Sequence, residues 1–136
     1  MASDVLIDSN VYIDLLRAKK DVVTTLYEWA EFRSGSLVIC GMIRLEVLRG
    51  IKSLKAFQSI SSLMDVMINL PTDNRLWGEA TDLAWNLDRK GITIPGADAV
   101  IAACALRSGS AVMTSDAHFS RIEGLRVIAP PADWFA

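Results

Sequence analysis

Four acidic residues stand beside apolar segments of the chain. Asp8 follows "VLI", Glu46 sits within "IRLEVL", Asp98 opens the greasy run "AVIAACAL", and Asp116 comes just past "AVMT". If the fold gathers them, four carboxylates repel one another and take up protons unless a cation compensates. Ligands that are all oxygen favour a hard ion, Mg²⁺ or Mn²⁺. Such an ion attracts a phosphate that bare carboxylates would push away. It also makes an adjacent water more acidic and offsets charge in an in-line displacement. The chemistry indicated is metal-dependent cleavage of a phosphodiester. Taken singly, each acid also has an ordinary structural role. Asp98 suits a helix N-cap, Glu46 a solvated helix face, and Asp8 or Asp116 a helix cap or a turn brace.

The elements that must bring these acids together are readable from pattern. "DVLID" (Asp4–Asp8) is short and apolar, as a buried parallel strand is. A helix follows from about Asn10, with Val11, Tyr12 and Leu15 inward. Asp21–Arg33 is a second helix, stopped at "SGS". Leu37–Cys40 is a second strand, and Met42–Gly50 a helix ended by glycine. Ser53–Asp65 is a further helix and Val66–Pro71 the third strand. Asp73–Lys90 carries Leu76, Ala80, Leu83, Ala84 and Leu87 at helical spacing, and Gly91 ends it. The run from Ala99 to Leu106 is helical and buried, "AVMT" is strand four, and Arg126–Ala129 is strand five.

Strands alternating with helices predict an α/β fold, a three-layer α/β/α sandwich around a mainly parallel five-stranded sheet. Right-handed crossovers put every strand's carboxyl end on one edge, and ligands collect there where the strand order reverses. If strands one and four flank that point, Asp8 and Asp116 come from neighbours about 4.8 Å apart. Asp98, at the start of the helix leading into strand four, lies on that edge, as does Glu46 in the helix after strand two.

The bulk properties agree. The chain of 136 residues suits one domain, 1–136. It is 51% hydrophobic with a mean hydropathy of +0.30, yet no apolar run approaches the roughly 18 residues of a membrane span. The start of the chain lacks the pattern of a secretory signal, so a cytoplasmic location is expected. A formal charge of −2 and a pI of about 5.3 argue against nucleic-acid binding by bulk charge, but not against gripping phosphates through a bound cation. Cys40 and Cys104 lie in apolar segments and are expected as buried free thiols. A nitrogen or sulfur metal site would want more Cys or His than this, and His118 is the sole histidine.

The motifs around the four acids resemble the PIN domain family, and within it the small VapC-type toxins of bacterial and archaeal toxin–antitoxin pairs. "LIDSNVYIDLL" is similar to the family's opening aspartate motif, with Ser9 where threonine is usual and Asn10 kept. "GMIRLEVLRG" resembles the segment carrying the family glutamate, here Glu46. "IPGADAVIAACAL" resembles the segment of the third acid, Asp98, and "VMTSDAHFSRIEGLRVI" the ending that carries the fourth, Asp116. The resemblance spans nearly the whole chain and implies a Mg²⁺- or Mn²⁺-dependent endoribonuclease. By it, Asp8, Asp98 and Asp116 hold metal, and Glu46 binds metal directly or through water, or orients the nucleophile. Ser9, Asn10, Thr114 and Ser115 become supporting hydrogen-bonding groups.

The same resemblance implies partners: RNA as substrate, a second copy in a homodimer, and a cognate antitoxin whose C-terminal segment crosses an apolar groove and blocks the site. Leu16, Leu26, Trp29, Trp77 and Trp85 are available for such surfaces. Arg17, Lys19 and Lys20, with Arg44, Arg49, Lys52 and Lys55, are available to RNA phosphates. Two other readings compete. One is a PIN-like binding module that partners a DNA-binding antitoxin or regulator with weak or no cleavage. The other, a nucleotide-binding or receiver-type domain, lacks support: no glycine-rich loop follows strand one, and Asn10 replaces the second acid of a D-x-D-x-T phosphatase pattern.

Overall fold

The computed structural model describes residues 4–136; residues 1–3 of the expected domain lie outside the described ones. Its strands are β1 (Val5–Ile7), β2 (Leu37–Cys40), β3 (Ile68–Leu70), β4 (Ala111–Met113) and β5 (Val127–Ile128). They form an all-parallel sheet in the order β3-β2-β1-β4-β5. All three residues of β1 and of β4 are buried, as expected of central parallel strands covered on both faces. At the edge, Ile68 of β3 is exposed.

The helices are α1 (Ser9–Arg17), α2 (Val22–Arg33), α3 (Gly41–Arg49), α4 (Leu54–Val66), α5 (Asn74–Arg89) and α6 (Gly96–Ser108). Side-chain caps set several starts. Asp21 accepts from the Thr24 N–H, Ser53 from Ala56, and Asp73 from Leu76, each satisfying one donor that the first turn leaves open. Gly109, at φ 71°, closes α6 in a left-handed turn that glycine adopts without strain. The helices α1 to α4 pack among themselves, and α5 packs on α6. The chain runs outward from β1 through β2 to β3, then back across to β4. Right-handed crossovers in opposite directions put the two helix groups on opposite faces of the sheet.

The predicted elements need small corrections. Asp8 is not the end of a strand but the N-cap of α1, which begins one residue earlier than expected. Helix α4 runs on to Val66 and confines β3 to Ile68–Leu70. Asp98 lies in the first turn of α6 and is not its cap, since Pro95 holds that place. Leu26, read as available for a partner surface, is fully buried in the core, and Leu16 is partly buried. Trp29 meets Trp134 edge-on with ring centroids 6.0 Å apart, whereas Trp77 and Trp85 are 48% and 56% exposed. Both cysteines are buried and free, as expected.

Candidate active site

The reversal of strand order falls between β1 and β4, and the chain passes out of both strands at the same edge. The Asp8 N–H donates to the Met113 carbonyl at 2.9 Å, so the two exits are tied together by backbone. Asp8 is almost fully buried. Its carboxylate caps α1 through the Ser9 N–H at 2.8 Å and accepts the Thr114 hydroxyl at 2.8 Å. Thr114 is the hub of the site. Its Oγ1 donates to Asp8 and accepts both the Asn10 side-chain amide at 3.2 Å and the Asp116 N–H at 2.9 Å.

Asp116 in turn caps a short 3-10 helix, Ala117–Arg121, by accepting the His118 N–H at 2.9 Å. The His118 ring then folds back, with Nδ1 2.9 Å from Asp98 Oδ2 and 3.0 Å from Asp116 Oδ1. Glu46, half-buried on α3, makes no hydrogen bond among the described residues. It is close enough for its charge to raise the Asp8 carboxyl.

The electrostatics record the crowding. Burial pushes Asp8 up to about 6. The Thr114 and Ser9 hydrogen bonds oppose the rise, and the charges of Asp98 and Glu46 add to it. Asp98 is also raised, first by burial and then by Asp116, against the hydrogen bond from His118. His118 is raised in return, above all by its bond to Asp98. Thus the charges of Glu46 and Asp98 reach Asp8, and that of Asp116 reaches Asp98. Asp98 and Asp116 come within ligand distance of each other and of His118, while Asp8 and Glu46 lie close enough to be felt through their charges.

The surrounding residues fare unevenly. Asn10 and Thr114 join the hydrogen-bond network. Ser9 contributes through its backbone N–H, and Ser115 is exposed with no hydrogen bond among the described residues. Arg44 is tied to Asp65 at 2.6 Å and to Ser61 at 3.0 Å, which removes it from the free basic residues. The residue that sequence reasoning missed is His118. With no other nitrogen or sulfur ligands nearby it reads as an isolated histidine, although its place two residues after Asp116, at a turn, is a signal.

A divalent cation fits this site. Asp98, Asp116 and His118 each present one ligand atom, all within 4.8 Å of one another. The Asp8 carboxylate is buried with no cationic partner, and Asn10 Oδ1 is a buried acceptor with no hydrogen-bond donor among the described residues. Unpaired buried charge and orphaned acceptors are rare without a compensating group.

The PIN domain model matches residues 5–125 of the chain. Among solved structures, the chain is similar to the DNA-bound VapBC of Salmonella typhimurium, at 22% identity and a TM-score of 0.75, covering 94% of this chain and 98% of that one. It is similar to VapBC-1 of nontypeable Haemophilus influenzae, at 19% identity and 0.73, covering 98% and 99%. It is also similar to VapBC2 of Rickettsia felis bound to a promoter DNA fragment, at 18% identity and 0.71, covering 94% and 99%. No curated protein sequence matches it significantly. At these identities the structures establish a shared fold, and the family model, spanning most of the chain, establishes descent: this protein belongs to the PIN domain family.

Proposed function

We propose that the protein is a metal-dependent endoribonuclease acting as the toxin of a VapBC-type toxin–antitoxin pair. The observation that carries this reading is the convergence of Asp8, Glu46, Asp98 and Asp116 at the point where the strand order reverses, on a family scaffold whose members are generally nucleases. Asp8, Asp98 and Asp116 would hold Mg²⁺ or Mn²⁺, with Glu46 binding directly or through water. When bound, the ion supplies charge neutralisation for the phosphate and a more acidic attacking water. Thr114 fixes the Asp8 carboxylate by donating to Oδ2. Asn10 holds Thr114 in turn, and its Oδ1 meets no donor among the described residues. Glu46, without a hydrogen bond of its own, is free to orient water.

Partners follow from the same reading. A cognate antitoxin is supported by the neighbours, which are VapBC complexes, and by an apolar cleft of about 440 Å³ between α1, α3 and α4. Ile13, Leu16, Val47 and Ile51 line it, with Arg17 and Lys52 beside them. Exposed Trp77 and Trp85 on α5 support a homodimer surface. RNA is the proposed substrate, and the cytoplasm, where RNA and antitoxin meet, the proposed location.

The test is cleavage of structured RNA by purified protein with Mn²⁺ or Mg²⁺, expected to stop with EDTA and in Asp98→Asn. Unchanged cleavage by a rigorously purified Asp98→Asn variant would mark a contaminating nuclease and defeat the assignment. Metal binding without any RNA cleavage would favour the binding-module reading instead.

A further inference from the structure

We propose that the His118 imidazole is a direct ligand of the divalent ion and tunes this site towards a first-row transition metal such as Mn²⁺ over Mg²⁺. The inference rests on the metal-dependent reading above. Its starting point is spacing. His118 Nδ1 lies 2.9 Å from Asp98 Oδ2 and 3.0 Å from Asp116 Oδ1. Around a six-coordinate ion with bonds of about 2.1 Å, adjacent donors sit about 3.0 Å apart. Nδ1 therefore already has the separation of a neighbouring ligand from each of the two oxygens, and one ligand atom from each of the three residues lies within 4.8 Å of the others.

The local structure holds the ring there. The His118 backbone N–H is fixed on Asp116 Oδ1, and the next residue, Phe119, is fully buried and anchors the turn. The side chain itself is 45% exposed, and its ring has no hydrogen-bonding partners among the described residues other than the two acids. A histidine that only braced the fold would need one carboxylate. This one faces two. The carboxylate oxygens Asp98 Oδ1 and Asp116 Oδ2 remain without hydrogen bonds among the described residues, so both acids keep a free oxygen.

The consequence is selectivity. Carboxylate oxygens suit Mg²⁺ and Mn²⁺ alike, but an imidazole nitrogen suits transition ions, while Mg²⁺ keeps to oxygen and water. An Asp-only site would discriminate weakly, and a mixed nitrogen–oxygen site discriminates against Mg²⁺. The ring binds in its neutral form, with the remaining proton on Nε2.

The experiment uses the full chain with Mn²⁺ or Mg²⁺ and no RNA. Binding of each ion is measured by titration calorimetry, and nitrogen coupling to bound Mn²⁺ by pulsed electron paramagnetic resonance. Wild type should show imidazole-nitrogen modulation, and Asp98→Asn should lose Mn²⁺ binding, which locates the signal. His118→Ala should lose the modulation and bind Mn²⁺ about 10- to 100-fold more weakly, with Mg²⁺ affinity close to wild type. His118→Asn, which offers an amide oxygen near the Nδ1 position, should also lose the preference for Mn²⁺, and it carries the test should the alanine variant unfold. Mn²⁺ bound without nitrogen modulation, or an unchanged Mn²⁺-to-Mg²⁺ affinity ratio in both variants, would sink the inference and leave the metal-dependent reading intact. No Mn²⁺ binding by wild type at any concentration would sink both.

Discussion

A buried carboxylate with no cation beside it costs the fold energy, and Asp8 carries that cost in the metal-free protein. Its ordinary value is 3.8, and in the fold it lies at about 6, mainly through burial. The protonated form is therefore favoured by folding. The contribution to stability is fully present below about pH 4 and is lost as pH rises through 6. A shift of this size corresponds to roughly 3 kcal/mol at pH 7. Asp8→Asn removes the charge but disturbs the Thr114 hydrogen bond, which offsets about 1 kcal/mol of the gain. With EDTA present, Asp8→Asn should melt at a higher temperature than wild type at pH 7.5, and the gap should close towards pH 4.5. A lower melting temperature for Asp8→Asn at pH 7.5 would show that Asp8 stabilises the fold through its hydrogen bonds instead.

At the scale of elements, much of this architecture was legible because its signals are local. Asp21 and Asp73 announce helix starts that the structure shows as side-chain caps, and Gly91 a stop, which stands just past α5 at φ 78°. The apolar stretches of β1, β2 and β4 read as buried parallel strands, and their edge followed from crossover handedness. What the sequence hid was set by packing between distant segments. Leu26 looks like any exposed helix leucine until the core closes over it. His118 acquires its role only when a 3-10 turn folds it onto Asp98, twenty residues earlier in sequence. Likewise Ser9 and Ser115 carry the right chemistry, but their side chains find no hydrogen-bond partner among the described residues. Helix α6 shows why the greasy run had to be small. It is buried from Ala99 through Ala105, packed against α5 and touching α3 and β4. Alanine lets these neighbours approach closely around the helix that carries Asp98. Ala105→Leu forces extra methylenes into a site with no accessible surface and should destabilise by about 1–3 kcal/mol, measured by urea unfolding. A loss below about 0.5 kcal/mol, as at surface sites, would mean that α6 has room to spare.

Across the whole molecule, charge is distributed unevenly. The net charge is only −2, yet four acids from four segments converge at one edge of the sheet. Folding without an ion must overcome their mutual repulsion, and a bound ion turns that repulsion into attraction. The native state alone assembles the site, so an ion that binds it must stabilise the fold by linkage. At a concentration a hundred times its Kd, the gain is about 2.7 kcal/mol. For a domain of this length that raises the melting temperature on the order of 10 °C. Mn²⁺ should produce such a rise in wild type, EDTA should reverse it, and Asp98→Asn or Asp116→Asn should shrink it severalfold. Ionic strength provides the control. Monovalent salt screens exposed charges over roughly 8–10 Å but cannot occupy the ligand positions, so NaCl should reproduce little of the shift. An equal rise with NaCl, or an undiminished Mn²⁺ response in both variants, would mean that the edge is merely a screened acidic surface and that the carboxylates do not act together on one ion.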